Sequence, residues 1–175
     1  MRNHLSIAIL SCLLCSSCIL FKPASSVTTT ETRPSKSKSK SSSSGSYSEV
    51  LQIAESLKGV PYKYGGTTKR GFDCSGFTSY VYKRNAIEIP RTSRAQEDYM
   101  DRVSIKQLQA GDFVFFRPNK VGKVFHVALV VNNDRTGLTV IHATSSRGVV
   151  KENISQSSYW TKKYWTGGRL PRSAF

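Results

Sequence analysis

Cysteine is scarce in this chain beyond its first eighteen residues. Three of the four cysteines, Cys12, Cys15 and Cys18, lie near the N-terminus, and only Cys74 lies in the rest of the chain. A lone cysteine excludes an intramolecular disulfide in that part, and it excludes the paired-cysteine spacing of structural zinc sites there. The HExxH pattern of zinc peptidases is absent too. Cys74 is therefore either a buried, inert thiol or a reactive one.

Acidic residues are also few. Eleven Asp and Glu face 26 Lys and Arg, which gives a formal net charge of +15 at pH 7. Residues 1–46 contain six of the basic residues and one of the acidic ones, so a net charge of +10 remains on the rest of the chain. A charge of this size favours an anionic partner, which is a nucleic acid, a phospholipid surface or an acidic wall polymer.

Long apolar runs are absent apart from one at the N-terminus. In "MRNHLSIAILSCLLCSSCILF", a short basic start precedes an apolar run from Leu5 to Cys15. This run is too short to span a bilayer and has the length of a signal-peptide core, so it predicts export and argues against a nucleic-acid partner. The serines before Cys18 resemble a bacterial lipoprotein signal, with residues 1–17 removed and Cys18 lipidated. Cys15 or Cys12 as the acceptor, or an ordinary cleaved signal, are the alternatives.

The segment after the signal lacks apolar periodicity. Residues 18–46 are rich in Ser, Thr and Lys, and such a composition cannot bury enough surface to offset the entropy of ordering. We predict a flexible tether over 18–46 and one folded domain over 47–175, without internal repeats. A tether of this kind lets an anchored domain work at a distance from its membrane.

The pattern of the domain changes from helices to strands along the chain. Apolar residues at helical spacing predict a first helix between Ser48 and Gly59, and a second helix follows Asp73, a favourable capping residue. A third, shorter helix is predicted in "RTSRAQEDYM". Short runs rich in β-branched and aromatic residues then predict antiparallel strands; these are "DFVFF", "VFHVALVV", "LTVIHAT" and "GVVKENI". The fold class is therefore α+β, with N-terminal helices packed on an antiparallel sheet.

Two histidines lie on neighbouring predicted strands. If the hairpin turn centres on Asp134, His126 lies directly opposite His142 on one face of the sheet. A slip of one residue would place the two rings on opposite faces. Cys74 begins the second helix, where unpaired N–H groups and the helix dipole are expected to stabilise a thiolate.

A cysteine, a histidine and a residue that orients the histidine are sufficient for acyl transfer from an amide. The same three side chains are also ligands that zinc accepts. We favour thiol catalysis, because a helix N-terminus suits a nucleophile, whereas a zinc site would want a further firm ligand near these side chains.

Five sequence blocks resemble those of the NlpC/P60 cysteine peptidases, in order along the chain. They are "GVPYKYGGTTKRGFDCSGF", "IPRTSRAQ", "LQAGDFVFF", "HVALVV" and "IHATSSRGVV". The C-terminal "SYWTKKYWTGGRL" resembles the Spr-type murein endopeptidases of that family. The resemblance implies a papain-like α+β fold and cleavage of amide bonds in peptidoglycan stem peptides or cross-links. The bond would join D-Ala or γ-D-Glu to the diamino acid, and no cofactor or metal is expected.

The resemblance also implies roles for six residues. The catalytic residues would be Cys74 as nucleophile, His126 as base and His142 as the orienting residue, and the substrate-binding residues would be Tyr64, Asp73 and Ser75. Expected partners are peptidoglycan and, through a lipid anchor, a bacterial membrane, with a monomeric domain in the cell envelope facing the periplasm. The alternative is a non-catalytic peptidoglycan-binding lipoprotein.

Overall fold

The computed structural model describes residues 43–175 of the chain. The predicted signal peptide, the lipidation candidate Cys18 and most of the predicted tether lie outside the described residues. The helices are α1 (Ser43–Ser56), α2 (Cys74–Lys83), α3 (Ser93–Tyr99) and α4 (Ser158–Lys163). The strands are β1 (Thr67–Thr68), β2 (Gly71–Phe72), β3 (Asp101–Val103), β4 (Phe113–Phe116), β5 (His126–Asp134), β6 (Gly137–Thr144), β7 (Gly148–Asn153) and β8 (Tyr164–Arg169).

Six strands form one antiparallel sheet, in the order β3-β8-β4-β5-β6-β7. The α+β class is confirmed, and the predicted second and third helices and all four predicted strands are present. The prediction missed the short strands β1, β2 and β3, and it also missed α4 and β8 in the C-terminal aromatic block. Helix α1 begins at Ser43, inside the segment predicted as tether, and ends at Ser56 before the expected stop. Among residues 43–175, no helix is long and apolar enough to cross a bilayer.

The sheet is buried on both faces, and the two faces have different partners. One face packs on α1 and α2 through residues such as Phe115, Val127 and Ile141. The opposite face packs on the C-terminal segment that includes Trp160. All four residues of β4 are fully buried, which explains why "FVFF" shows no alternation of apolar and polar residues. The histidines lie on the face that Trp160 covers.

The hairpin of β5 and β6 has a different register from the predicted one. Its turn leaves Asp134 paired with Gly137, and an extra residue, Val131, interrupts the ladder before Val130 pairs with Val140. Continuing this ladder places His142 two residues away from the position opposite His126. The prediction that the histidines lie directly opposite each other is therefore wrong, because the turn lies further along the chain.

The extra residue at Val131 nevertheless keeps both histidines on one face. The pairing at the turn alone, continued without interruption, would place the two rings on opposite faces. A β-bulge shifts the register by one residue and so restores the alternation. The histidines become diagonal neighbours, which long or aromatic side chains can bridge.

Candidate active site

Helix α2 aims its N-terminus at the beginning of β5. Asp73 is the N-cap, and its carboxylate Oδ1 accepts a hydrogen bond of 2.6 Å from the backbone N–H of Gly76. Cys74 follows as the first helical residue, is 8% exposed and has a free thiol. Backbone N–H groups of Val127 and Ser75 lie near enough to the sulfur to lower the pKa of the thiol. The nucleophile predicted from sequence therefore lies between the helix N-terminus and the strand that carries His126.

Burial raises the pKa of the Cys74 thiol above its usual value, and the nearby Asp73 carboxylate raises it further. The backbone N–H groups of Val127, Ser75 and Cys74 lower this pKa, but by less than burial raises it. The expected stabilisation of a thiolate is therefore outweighed in the free protein, because the sulfur is removed from water. At neutral pH the sulfur carries its proton, and it needs a base to become a nucleophile.

The two histidines form a hydrogen-bonded pair. Nε2 of His126 lies 2.9 Å from Nδ1 of His142, and the ring planes are inclined at 70°. Both rings are buried, and His142 is entirely so. The structure thus brings together the three residues assigned as catalytic: Cys74 and His126 line one cavity, and His142 lies behind His126.

A carboxylate that sequence reasoning missed extends this pair. Oε1 of Glu152, on β7, lies 2.7 Å from Nε2 of His142. The strand pairing explains the contact, since Glu152 is opposite Val140 and His142 is opposite Val150. His126, His142 and Glu152 therefore form a diagonal line across three adjacent strands. The sequence signal was Glu152 on the same face in "GVVKENI", but only the correct register identifies it.

Burial keeps both histidines neutral. It holds the pKa of His126 well below its ordinary value, and the neighbouring His142 lowers it further. The pKa of His142 is lowered as well, because burial outweighs the opposing effect of Glu152. The hydrogen bond with His142, together with Arg147, lowers the pKa of Glu152 to about 2. At neutral pH the line thus consists of two neutral imidazoles and one carboxylate.

Trp160 covers the histidine pair from helix α4. Its ring stacks on His126 with centroids 4.8 Å apart and planes inclined at 27°. Its indole Nε1–H donates a 3.2 Å hydrogen bond to Oε1 of Glu152. The same ring packs against Phe116 at 4.7 Å. Trp160 therefore shields the histidines from water and also contributes a polar contact to the line.

Cys74 and His126 open onto a cavity of about 440 Å³. Its wall also contains Tyr62, Phe125, Thr144, Ser145, Ser146, Arg147, Glu152, Ser157, Tyr159 and Trp160. The predicted substrate-binding Tyr64 does not line this cavity and is 91% exposed. Tyr62, two residues earlier, occupies the wall beside Cys74.

The other two predicted substrate-binding residues contact a common arginine. Arg91 donates to both carboxylate oxygens of Asp73, at 3.0 and 2.6 Å, and to Oγ of Ser75 at 3.1 Å. Asp73 thus caps α2 and binds Arg91 through the same carboxylate. Sequence reasoning did not assign Arg91 a role, although it lies in the block "IPRTSRAQ".

The zinc alternative lacks a set of ligands in the part of the chain that the structure describes. Among residues 43–175, no group of three His, Cys, Asp or Glu side chains is placed to hold a metal ion. The facing nitrogens of His126 and His142 are hydrogen-bonded to each other, so those two nitrogens are not directed at a common metal position.

A thiol at a helix N-terminus beside a neutral, oriented histidine defines the class of site that performs nucleophilic acyl transfer. The family model of the NlpC/P60 family matches residues 59–169, and the chain belongs to the NlpC/P60 family. The expected fold is confirmed by a solved NlpC/P60 family protein from Bacillus cereus, with a TM-score of 0.65 and 33% identity. That match covers 71% of this chain and 40% of the other.

Two curated relatives have different printed activities. The murein DD-endopeptidase MepS/murein LD-carboxypeptidase of Escherichia coli strain K12 is 34% identical over 118 residues, which is 67% of this chain and 59% of that protein. The gamma-DL-glutamyl hydrolase of Bacillus subtilis strain 168 is 36% identical over 124 residues, or 69% of this chain and 29% of that protein. The chain thus spans about three fifths or less of the length of these two relatives.

Proposed function

We propose that this protein is a cysteine endopeptidase that hydrolyses amide bonds in the peptide part of peptidoglycan. The observation that carries the proposal is the shared cavity of Cys74 and His126, with His142 hydrogen-bonded behind the base. The names of the relatives, which include a murein endopeptidase, support the substrate class.

The hydrogen bonds define which histidine nitrogen acts as the base. Because a carboxylate only accepts, Nε2 of His142 carries the proton that it donates to Glu152. Nδ1 of His142 is then an acceptor, so Nε2 of His126 donates to it. This leaves Nδ1 of His126 without a proton and available to the thiol of Cys74.

The reaction then follows from these positions. Nδ1 of His126 takes the proton of Cys74, and the sulfur attacks the carbonyl carbon of the scissile amide. Backbone N–H groups at the N-terminus of α2 stabilise the resulting oxyanion. His126 returns the proton to the leaving amine, and a water molecule activated by the same nitrogen hydrolyses the thioester.

The cavity wall supports assignments for substrate binding. We assign the aromatic wall near the scissile bond to Tyr62, whereas a role for Tyr64 stays a prediction. Asp73 and Ser75, held by Arg91, remain proposed contacts for the substrate. Stem peptides carry carboxylates, which the net positive charge of the chain attracts. The bond cut joins D-Ala or γ-D-Glu to the diamino acid, and the printed names of the two relatives include both a DD- and a γ-glutamyl activity.

Digestion of purified sacculi tests the proposal. The described domain should release cleaved stems, and mass spectrometry of the products should identify the bond. The C74A variant should release none while keeping the melting temperature of the parent, because the thiol is the nucleophile. Cleavage by C74A would refute the thiol mechanism, and binding to sacculi without cleavage by the parent would favour the alternative of a wall-binding lipoprotein.

We further propose that Cys18 is lipidated and anchors a monomeric domain to a bacterial membrane, facing the periplasm. The support is the sequence of the N-terminal segment. Fatty-acid labelling of the full chain should give a signal that C18A loses. A signal that survives C18A and is lost in C15A or C12A would move the anchor to that cysteine.

A further inference from the structure

Three donors converge on one oxygen of Glu152. Oε1 accepts from Nε2 of His142 at 2.7 Å, from a guanidinium N–H of Arg147 at 2.6 Å and from the indole of Trp160 at 3.2 Å. The side chain of Glu152 is 21% exposed, whereas the His142 ring beside it is wholly buried. The reaction described above transfers no proton to this carboxylate, so its place at the end of the line needs another explanation.

We propose that Glu152 is a positioning residue that sets the tautomers of His142 and His126, so that His126 presents an unprotonated Nδ1 to Cys74. The inference rests on the proposed thiol mechanism and deepens it. Glu152 acts through the two histidines and does not touch the substrate carbonyl.

The hydrogen-bond line has two self-consistent arrangements, and only one is productive. In the first, His142 donates to Glu152 and His126 donates to His142. In the second, both protons move to the other ring nitrogen, so His142 donates to His126 from Nδ1. His126 would then carry its proton on Nδ1, and no base would remain for the thiol of Cys74.

Glu152 disfavours the second arrangement because its carboxylate is an acceptor only. In that arrangement the lone pair on Nε2 of His142 would face Oε1 at 2.7 Å without a proton between them. A buried acceptor without a donor costs free energy, and the negative charge of the facing carboxylate increases that cost because it repels the lone pair. Arg147 and Trp160 keep Oε1 in place, because both donate to the same oxygen.

The surrounding charges favour a permanently ionised Glu152. His142 contacts it from β6, Arg147 from the turn between β6 and β7, and Trp160, which does not titrate, from α4. Lys58, in the turn after α1, lines the adjacent groove, but it pairs with Glu55 at 2.8 Å. The acceptor is thus present across the whole pH range in which the domain would work.

Two substitutions at position 152 separate the acceptor from the packing. Glu152→Leu removes the acceptor and keeps much of the volume. Glu152→Gln keeps an amide oxygen that Arg147 and Trp160 hold in the same place. The matched control is Glu55→Gln, which also removes a carboxylate paired with a β7 residue, since Glu55 lies 2.7 Å from Lys151. Glu55 does not line the cavity of Cys74.

Three measurements on the described domain read the effect. Nitrogen-15 NMR of the imidazoles reports which ring nitrogen carries the proton. The alkylation rate of Cys74 by iodoacetamide, measured against pH, reports the base without any peptidoglycan. Digestion of sacculi reports turnover, and thermal melting reports folding.

We expect E152L to lose the single tautomer at both histidines and to lower alkylation and digestion by about 10- to 100-fold, the effect of one hydrogen bond to a charged group. E152Q should keep the tautomers and lose less than E152L, and E55Q should match the parent. If E152L does not fold, E152A removes the same acceptor and takes its place.

Unchanged tautomers in E152L would overturn the inference, whatever happens to turnover, because Glu152 would then be purely structural. Parent-like alkylation in E152L would overturn it as well. A tautomer change in E152L combined with a parent protein that digests no sacculi would support the inference and refute the proposed substrate. The two failures are therefore distinguishable.

Discussion

Asp73 makes two stabilising contacts, an N-cap of α2 and an ion pair with Arg91. Its removal should lower the free energy of unfolding by the sum of the two contributions. The carboxylate caps α2 through the N–H of Gly76 at 2.6 Å and pairs with Arg91 at 2.6 Å. Loss of an N-cap costs about 1 kcal/mol, within a range of roughly 0.5–2. The Arg91 side chain is 41% exposed, so solvent screens the ion pair, which contributes about 0.2–1 kcal/mol.

Asp73→Ala should therefore lower the free energy of unfolding by about 1–3 kcal/mol at pH 7. For a domain of this size, the melting temperature should fall by roughly 4–12 °C. Asp73→Asn keeps an oxygen that can cap the helix and loses only the charge, so it should lose about 0.2–1 kcal/mol. The control is Thr92→Ala, because Thr92 caps α3 through the N–H of Ala95 at 3.2 Å without an ion pair.

The pH dependence gives the sharper test. Although burial opposes it, contacts with Arg91 and Gly76 lower the pKa of Asp73 below its usual value. A lowered carboxyl pKa stabilises the folded state above the unfolded-state value of about 3.9, and this stability is lost as the pH falls through the folded value. The deficit of D73N should thus shrink toward zero below about pH 4, while that of T92A should not change. Urea unfolding at pH 7 and pH 3 measures both, and a D73A domain within about 0.5 kcal/mol of the parent at pH 7 would refute the reasoning.

Three further perturbations have defined outcomes. Because burial holds the pKa of His126 well below its ordinary value, sacculus digestion and the alkylation of Cys74 should persist from neutral pH down to about pH 6.5 and fall only at lower pH. A rate that is already half lost above that pH would contradict His126 as a neutral base. Gly76→Ala should lower the free energy of unfolding by about 1–3 kcal/mol or more, since the new Cβ would lie 2.0 Å from the carbonyl oxygen of Gly66. The control Lys83→Ala, at the exposed end of α2, should keep the melting temperature of the parent. Trp160→Phe keeps the ring over His126 and loses the N–H to Glu152, so it should lower turnover less than E152L does; an equal loss would mean that the indole N–H is essential.

The sequence predicts much of this fold because its local signals agree with the tertiary structure. Asp73 before an apolar periodic segment predicts α2, and the observed helix begins at the next residue. Strand β8 was missed for a packing reason. Gly167 and Gly168 make "YWTGGR" resemble a loop, but the sheet needs glycine there. A Cβ at Gly167 would lie 2.7 Å from the backbone carbonyl oxygen of Val103, on the neighbouring strand β3.

The sequence predicted Cys74, His126 and His142 of the candidate site but not Glu152, and the difference depends on how much of the strand register each residue requires. Cys74 depends on a local signal, the start of a helix. The contact between His126 and His142 requires only that both rings lie on the same face of the sheet. Its prediction was therefore correct although the predicted position of the turn was wrong. Glu152 needs the pairing of β6 with β7 in addition, and no local pattern encodes that.

The same reasoning explains why a bulge lies between the turn and the histidines. The pairing of Asp134 with Gly137 is set by the turn, and a two-residue turn fixes the register of a hairpin. The line from His126 to Glu152 requires a register shifted by one residue, because only then do the two histidines lie on the same face of the sheet. Val131 supplies one extra residue, so the turn and the site each keep the pairing they need. The hydrogen bond between His126 and His142 therefore depends on a residue outside the cavity. A chain that lost this bulge while keeping the pairing at its turn would place the two histidines on opposite faces of the sheet.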